Sequence, residues 1–441
     1  MSATMRRNAC PSLAAPMPTG DGLLARINTV DGSISPHHLR LVAEAAERHG
    51  NGILEVTRRG SLQIRGLTEE SAQLFSDEVL NNGINVRSGV PVETGPLAGL
   101  DPFELMDGRS TAGQLIDRIE KENFRRLLAP KFSIVVDGGG QLSMADVLAD
   151  VRLTAVKTDA SVRWRVSVGG TETNARPVAI LVDGRAIPLA IELLRAVVEL
   201  GRVARGKDLS AERISQACQA VGAEEFGLPE RRRASADKQL DTPDSPRLPV
   251  AFFRLKAGRI AFGMALPFGQ ATTDQIKIFS QTIEKIGIRE FRLAFGHALL
   301  AICDDETIAN AAKRAAEQIG FIVDPQDARL RIVACAGAPA CTSATIHTKD
   351  IATEIAARNV LPESGLVHVS GCEKGCSKPP FPAFSIIGTP DGARIVDGSS
   401  GVELDRVAER EVAAAFQRVM SRRDMGRETA PASAMRHGNS A

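Results

Sequence analysis

Four of the seven cysteines crowd into one short stretch of chain. Cys335 and Cys341 bracket five residues (CAGAPAC), and Cys372 and Cys376 bracket three (CEKGC). Four thiolates are the ligand set of a [4Fe–4S] cluster, and equally of a structural zinc. Zinc knuckles favour gaps of two to four residues because a tight turn wraps one small ion. The five-residue gap is wide for such a knuckle and suits a cubane, with zinc and unliganded thiols as the competing readings. The Ala, Gly and Pro between the ligands let backbone N–H groups come close enough to tune a cluster. Cys10, Cys218 and Cys303 stand alone. An odd count with no apolar stretch near Met1 reads as a reducing, cytoplasmic setting, where clustered cysteines bind metal rather than form disulfides.

A second group of residues suits anion binding. In Thr57-Arg58-Arg59-Gly60-Ser61-Leu62-Gln63-Ile64-Arg65-Gly66, read as one strand, Arg59, Gln63 and Arg65 share a parity and face one side of a sheet. The guanidinium fork pairs bidentately with carboxylates. The plain alternative for these arginines is a solvated strand face.

The elements that position these groups follow from pattern. Ile332-Val333 and Val367-His368-Val369 precede the two cysteine pairs, which predicts ligands at the ends of neighbouring strands. Thr342-Ser343 is expected to open a helix through Ile351 and Ile355, with its positive end near an anionic cluster. Near the N-terminus, Gly22–Ile27 reads as a strand, Ser35-Pro36 as a cap and first turn of a helix, and Ile53–Thr57 as the next strand. A similar strand, helix and strand recur at Gly258–Gly263, Thr273–Ile286 and Ile288–Leu293. Setting Gly52-Ile53-Leu54-Glu55 against Gly287-Ile288-Arg289-Glu290 implies a duplicated unit, the alternative being two unrelated units of common type. Between the copies, Phe132–Val136 and Val178–Val182 read as strands and Leu189–Leu200 as an amphipathic helix.

These readings give an α+β chain. Residues 1–75 form a first half-domain and 76–225 a first α/β domain, with a polar linker over 226–249. A second half-domain spans 250–310 and a second α/β domain with the cysteines 311–420. A helix runs from about Leu404 to Met420, and 421–441 form a disordered tail.

Composition excludes several classes. The 441 residues carry 54 basic and 53 acidic side chains, a net charge of +1, which argues against a general nucleic-acid binder. Sixteen Phe, one Trp and no Tyr cannot build base-stacking platforms. The 43% hydrophobic share excludes a disordered chain, and no apolar run is long enough to span a membrane.

The C-x5-C and C-x3-C pairs on a duplicated strand–helix–strand framework resemble the sulfite and nitrite reductases that pair siroheme with a [4Fe–4S] cluster. The resemblance runs from about Gly22 to Met420. It implies two ferredoxin-like half-domains that pair with each other, and two α/β domains holding cluster and tetrapyrrole. It also implies that Cys335, Cys341, Cys372 and Cys376 ligate the cluster. Residues 57–66 are similar to the family's pocket strand, Arg26 falls at its preceding arginine, and Ala129-Pro130-Lys131-Phe132-Ser133 matches its lysine segment at Lys131. Arg26, Arg59, Gln63, Arg65 and Lys131 are thereby implied as tetrapyrrole-carboxylate ligands. Gly60 stands where the family has Gln, and Ser133 where it has a second Lys.

The block Cys10-Pro11-Ser12-Leu13 to Arg26, with His49-Gly50-Asn51-Gly52 and Ser370–Pro379, resembles the oxygen-dependent branch of aerobic cobalamin biosynthesis. That likeness implies hydroxylation of the octacarboxylate precorrin-3A at C20 with γ-lactone formation, NADH as electron source and a mononuclear non-haem iron. His297, His347 and His368 are the candidate iron ligands, each equally readable as a packed or surface histidine. Cys10 is a further candidate; His37, His38, His49 and His437 read as surface or tail residues. No G-x-G-x-x-G opens a helix after a strand, which points to a separate reductase or ferredoxin as electron donor. The duplication is compatible with a monomer. A siroheme-dependent reductase and a non-catalytic tetrapyrrole carrier are the alternatives.

Overall fold

The computed structural model describes residues 11–87, 89–159, 161–224, 248–379 and 381–428. The expected linker falls almost wholly outside these residues, as do Cys10, His437 and the end of the chain. The first repeat comprises β1 (Met17–Thr19), β2 (Gly22–Ile27), β3 (Ser33–Ile34), α1 (Pro36–His49), β4 (Ile53–Val56), β5 (Leu62–Leu67) and α2 (Glu69–Asn81). Ser35 caps α1 as its residue type predicts, its Oγ accepting the His38 N–H at 3.0 Å, with Pro36 in the first turn. A first α/β layer follows: β6 (Val92–Thr94), α3 (Gly108–Lys121), β7 (Ile134–Asp137), β8 (Ala149–Lys157), β9 (Val162–Gly170), β10 (Arg176–Leu181), α4 (Asp183–Glu199) and α5 (Ala211–Ala220).

The second half repeats both parts. β11 (Phe252–Arg254), β12 (Ile260–Ala265), β13 (Gln270–Thr272), α6 (Thr273–Ile286), β14 (Glu290–Ala294), β15 (Ala298–Cys303) and α7 (Glu306–Gln318) come first. Then come β16 (Ile332–Ala334), α8 (Thr348–Arg358), β17 (Leu366–Ser370), β18 (Pro382–Thr389), β19 (Gly392–Asp397), β20 (Glu403–Val407) and α9 (Val412–Glu428).

The two ferredoxin-like sheets are interlocked. Their orders are β1-β2-β5-β4-β13 and β11-β12-β15-β14-β3, so each half lends one short edge strand to the other's sheet. β13 pairs antiparallel with β4 and β3 with β14, which covers an otherwise open edge on both sheets. Register fixes the duplication: Ala271 lies opposite Leu54 while Ile34 lies opposite Phe291. Leu54 is therefore equivalent to Phe291, an offset of 237 residues (291 minus 54). The same offset relates the caps Ser35 and Thr272 and the helix ends Gly50 and Gly287. The match of Glu55 with Glu290 expected from sequence is two residues out of register, and Glu55 is equivalent to Arg292.

The α/β layers repeat as well. Sheets β10-β9-β8-β7-β6 and β16-β17-β18-β19-β20 share one pattern, two parallel pairs around a crossover helix followed by two antiparallel pairs. Val92 opposite Ile134 matches Ile332 opposite Val367, so Gly95 and Gly139 occupy the positions of Cys335 and Cys372. Only the second copy carries the thiols.

Three local expectations are corrected. Residues 403–407 form an edge strand paired antiparallel with β19 rather than the start of a helix. The last helix spans Val412–Glu428, beyond the residue-421 boundary. α2 and α7 run across residues 75 and 310, so both expected boundaries fall inside helices.

The chain divides into two compact units: one of Met1–Met17 with Leu24–Val323, the other of Pro18–Leu23 with Asp324–Ala441. In the first, Phe279 of α6 is fully buried against Phe291 at 5.6 Å and Phe321 at 5.2 Å between ring centroids. Phe279→Ala is expected to cost about 3–5 kcal/mol, read as a lowered midpoint of chemical unfolding.

Candidate functional site

The thiol segments lie in the second unit at the C-terminal ends of β16 and β17, which pair in parallel as their sequence implies. Cys335 leaves β16 with its N–H donating to Val369 O at 3.0 Å, and its buried Sγ accepts the Gly371 N–H at 3.1 Å. Ser370 Oγ donates to Cys372 O at 2.8 Å, and His368 Nε2 meets Cys376 O at 3.0 Å. The end of one strand thus fixes parts of three cysteines. Glu373 is gripped by Arg394 of β19 at 2.6 and 3.0 Å, and Lys374 Nζ reaches Ser343 Oγ at 2.7 Å, tying one cysteine loop to the other.

The helix after Cys341 begins at Thr348, capped at His347, rather than at Thr342. Residues 341–347 are spent in turns, with Ala344 N–H bonded to Cys341 O and Thr345 N–H to Gly371 O. Gly20 comes from the Pro18–Leu23 segment that belongs to this same unit. Its N–H donates to Ala340 O at 3.1 Å, and a Cβ there would lie 2.6 Å from Thr342 N. A side chain at residue 20 would therefore push on the Cys341 loop, which gives that distinctive N-terminal block a structural purpose.

Burial first, then the neighbouring Cys335, Cys372 and Cys341, push the Cys376 thiol up. Four thiolates are the anionic donors that a cationic iron centre takes, and the Gly371 N–H aimed at Cys335 Sγ is a contact of the kind that stabilises one. The donor set therefore fits a [4Fe–4S] cluster. By contrast Cys303, in β15 of the first unit, is raised to about 12 by burial. Iodoacetamide at pH 8 is expected to leave Cys303 unmodified in the folded protein and to alkylate it after unfolding, read by peptide mass spectrometry.

The implied anion ligands lie in the first unit, and the structure unites part of them. Gln63 and Arg65 share a face of β5, with Gln63 opposite Glu55 of β4. Arg26 Nη2 of β2 donates to Gln63 Oε1 at 3.0 Å, while Gln63 Nε2 and Gln270 Nε2 donate to Glu55. Arg65 Nη1 stands 3.9 Å from Glu55 Oε2. In the second copy the equivalents of Arg26, Gln63 and Arg65 are Gly263, Leu300 and Ile302, so the polar array belongs to one copy only.

Arg58 and Arg59 are not on the strand. They occupy the β4–β5 turn, closed by Thr57 N–H to Ser61 O at 2.8 Å. Gly60 adopts φ of 75°, and a Cβ there would lie 3.1 Å from the Ala294 backbone, so the family's Gln would be strained in this turn and would press on that strand. Arg59 instead reaches Leu148 O at 3.0 Å and Glu93 Oε1 at 3.7 Å. Lys131 is exposed just before β7, its carbonyl accepting from Arg205. Ser133 is buried, its N–H given to Asp150, which Arg205 also holds.

Of the histidine candidates for iron, His297 lies in the first unit and His347 and His368 in the second. His297 sits in the β14–β15 turn at φ of 66°, its Nδ1 2.7 Å from Val56 O. His347 is paired with Glu409 at 3.0 Å, and His368 is buried, its pKa lowered chiefly by burial. Among the described residues no group of three His, Cys, Asp or Glu is placed to hold a single metal ion. His37, His38 and His49 make surface contacts, His49 with Glu78 at 2.9 Å. No described helix is long and apolar enough to cross a membrane.

Comparison with known proteins agrees with this fold. Residues 15–81 match the nitrite/sulfite reductase ferredoxin-like half domain, and 87–228 match the nitrite and sulphite reductase 4Fe-4S domain. The second match covers the copy with glycines at the thiol positions, so the four clustered cysteines lie outside it. The NirA protein of Mycobacterium tuberculosis superposes with a TM-score of 0.70 over 90% of this chain and 80% of that one, at 17% identity, a likeness of fold. Ferredoxin–nitrite reductase of Synechococcus elongatus is 27% identical, covering 83% of this chain and 76% of that protein. The chain belongs to the nitrite and sulfite reductase family and is an oxidoreductase of it. Within the family it is a homologue of precorrin-3B synthase: that of Sinorhizobium sp is 37% identical across 89% of this chain and 83% of its own length.

Proposed function

We propose that the protein is a precorrin-3B synthase, an O₂-dependent monooxygenase that hydroxylates precorrin-3A at C20 with γ-lactone formation and draws its electrons from NADH. The 37% identity over most of both chains carries this reading, against 27% for a nitrite reductase. Arg26, Arg59, Gln63, Arg65 and Lys131 are proposed to bind and orient the ring through its carboxylates. Guanidinium and ammonium donors suit an octacarboxylate, and two geometrically fixed carboxylates already settle the ring's rotation. The buried Arg65 and Gln63, held against Glu55, supply rigid donors, and the exposed Arg59 and Lys131 supply adaptable ones.

Cys335, Cys341, Cys372 and Cys376 are proposed to hold the [4Fe–4S] cluster, which when bound supplies single electrons. His368, Ser370 and Gly371 fix the cysteine loops around it. A mononuclear iron has no matching ligand set among the described residues, and no step is routed through one. A reductase or ferredoxin is the proposed immediate electron donor.

The competing siroheme reductase shares the fold. Gly60 in its turn and Ser133 bound to Asp150 remove two donors that such a pocket uses. The purified protein, given precorrin-3A, O₂ and a competent reductant, is expected to yield a hydroxylated lactone by mass spectrometry. Strong iron-isobacteriochlorin absorption in the purified protein, with no turnover of precorrin-3A, would establish the reductase instead.

A further inference from the structure

Glu93 is the one acid in the apolar run Val90-Pro91-Val92-Glu93-Thr94, at the centre of edge strand β6. Its register equivalent in the second copy is Val333, so the carboxyl, like the arginine array, belongs to one copy only. Arg59 of the β4–β5 turn stands nearest it, and the charges of Arg87, in the segment before β6, and Arg26 of β2 also attract it. Arg87 is itself anchored, Nη1 donating to Val92 O. Glu93 Oε1 stands 3.7 Å from Arg59 Nη1, and Oε2 is buried with no hydrogen-bond partner among the described residues. A buried carboxylate oxygen without a donor is costly, all the more with the Arg59 guanidinium close to its other oxygen. Burial pushes the Glu93 carboxyl up, and Arg59, Arg87 and Arg26 only partly offset this.

We propose that Glu93 is a resident counter-ion for the tetrapyrrole-carboxylate site: it balances Arg59, Arg87 and Arg26 in the free protein, and takes up a proton when a ring carboxylate claims those guanidinium groups. The inference rests on the proposed tetrapyrrole binding and adds to it a coupling between ligand and proton. Removing the arginines' attraction and bringing a like charge near both favour the neutral acid. Proton uptake then makes binding weaken as pH rises, by about tenfold per unit once Glu93 is ionised in the free protein.

The test uses the full chain and uroporphyrin III, a stable octacarboxylate tetrapyrrole, in calorimetric titrations run in buffers of different ionisation enthalpy. The wild type is expected to take up about one proton per ring bound, with affinity falling from pH 7 to pH 9. Glu93→Gln, nearly isosteric, is expected to bind with no uptake and a flat pH profile. Glu93→Asp is expected to restore uptake, which a merely structural role for residue 93 would not do. Equal uptake in wild type and Glu93→Gln, or wild-type binding without uptake, would overturn the counter-ion role and leave tetrapyrrole binding standing. Failure of the wild type to bind the ring at all would overturn the binding reading and the inference with it.

Discussion

Cys335→Ser is expected to strip the protein of its cluster while leaving the fold in place. Iron, acid-labile sulfide and the electron paramagnetic resonance signal of the reduced protein should fall to background. The backbone at residue 335 is held without the sulfur, by its N–H to Val369 O and by Thr348 Oγ1 donating to its carbonyl at 2.8 Å. A hydroxyl can still accept the Gly371 N–H that now reaches Sγ. It cannot replace a thiolate on iron, because a serine hydroxyl stays protonated at pH values where a thiol beside iron ionises. Cys218→Ala, in α5 of the first unit, is the matched control and should keep the full signal. A cluster signal unchanged in Cys335→Ser would remove the assignment of that ligand.

Arg59→Ala is expected to weaken tetrapyrrole binding by roughly 10–100-fold, the loss of one charge-assisted pairing of about 1.5–3 kcal/mol. Its side chain projects from a turn, 42% exposed, and its contacts are one carbonyl and one carboxylate at 3.7 Å. Glu93 keeps the attraction of Arg87 and Arg26 in that variant, so unfolding free energy should fall by only about 1 kcal/mol. Arg65→Ala is the contrasting variant: its side chain is 5% exposed and 3.9 Å from Glu55, and removing it takes the cation from a partly buried carboxylate. Stability should fall further there than at Arg59, for a similar loss of binding. Equal affinity in Arg59→Ala and wild type would take Arg59 out of the site.

What sequence could reveal divides along the range of the interactions involved. Ser35-Pro36 announced α1 because capping is settled within four residues. The placement of the cysteines at the ends of β16 and β17 was legible because each pair directly follows a β-branched run. The turn at Arg58–Gly60 is hidden in the sequence by the strand-like alternation of Arg59, Gln63 and Arg65, and it is the positive φ of Gly60 that breaks the strand there. The helix after Cys341 starts late because its first residues make turns beneath the cysteine loops, a requirement visible only once Gly371 lies beside them. β3 and β13 are two and three residues long, and their exchange between sheets is a tertiary event with no local signature. The two-residue error in aligning the copies has the same origin, since register is set by pairing across the sheets. Glu93 carried no signal beyond one acid in an apolar run; its meaning comes from Arg26, Arg59 and Arg87, brought together only by the fold.

The proposed activity makes a definite claim about where one oxygen atom comes from. The direct measurement is mass spectrometry of the product formed from precorrin-3A under ¹⁸O₂, with the cluster-loaded protein and a competent NADH-driven reductant. A monooxygenase places one heavy oxygen in the product, and the Cys335→Ser protein places none. Product lacking the heavy atom, or no product while nitrite or sulfite is reduced by the same preparation, would contradict the assignment.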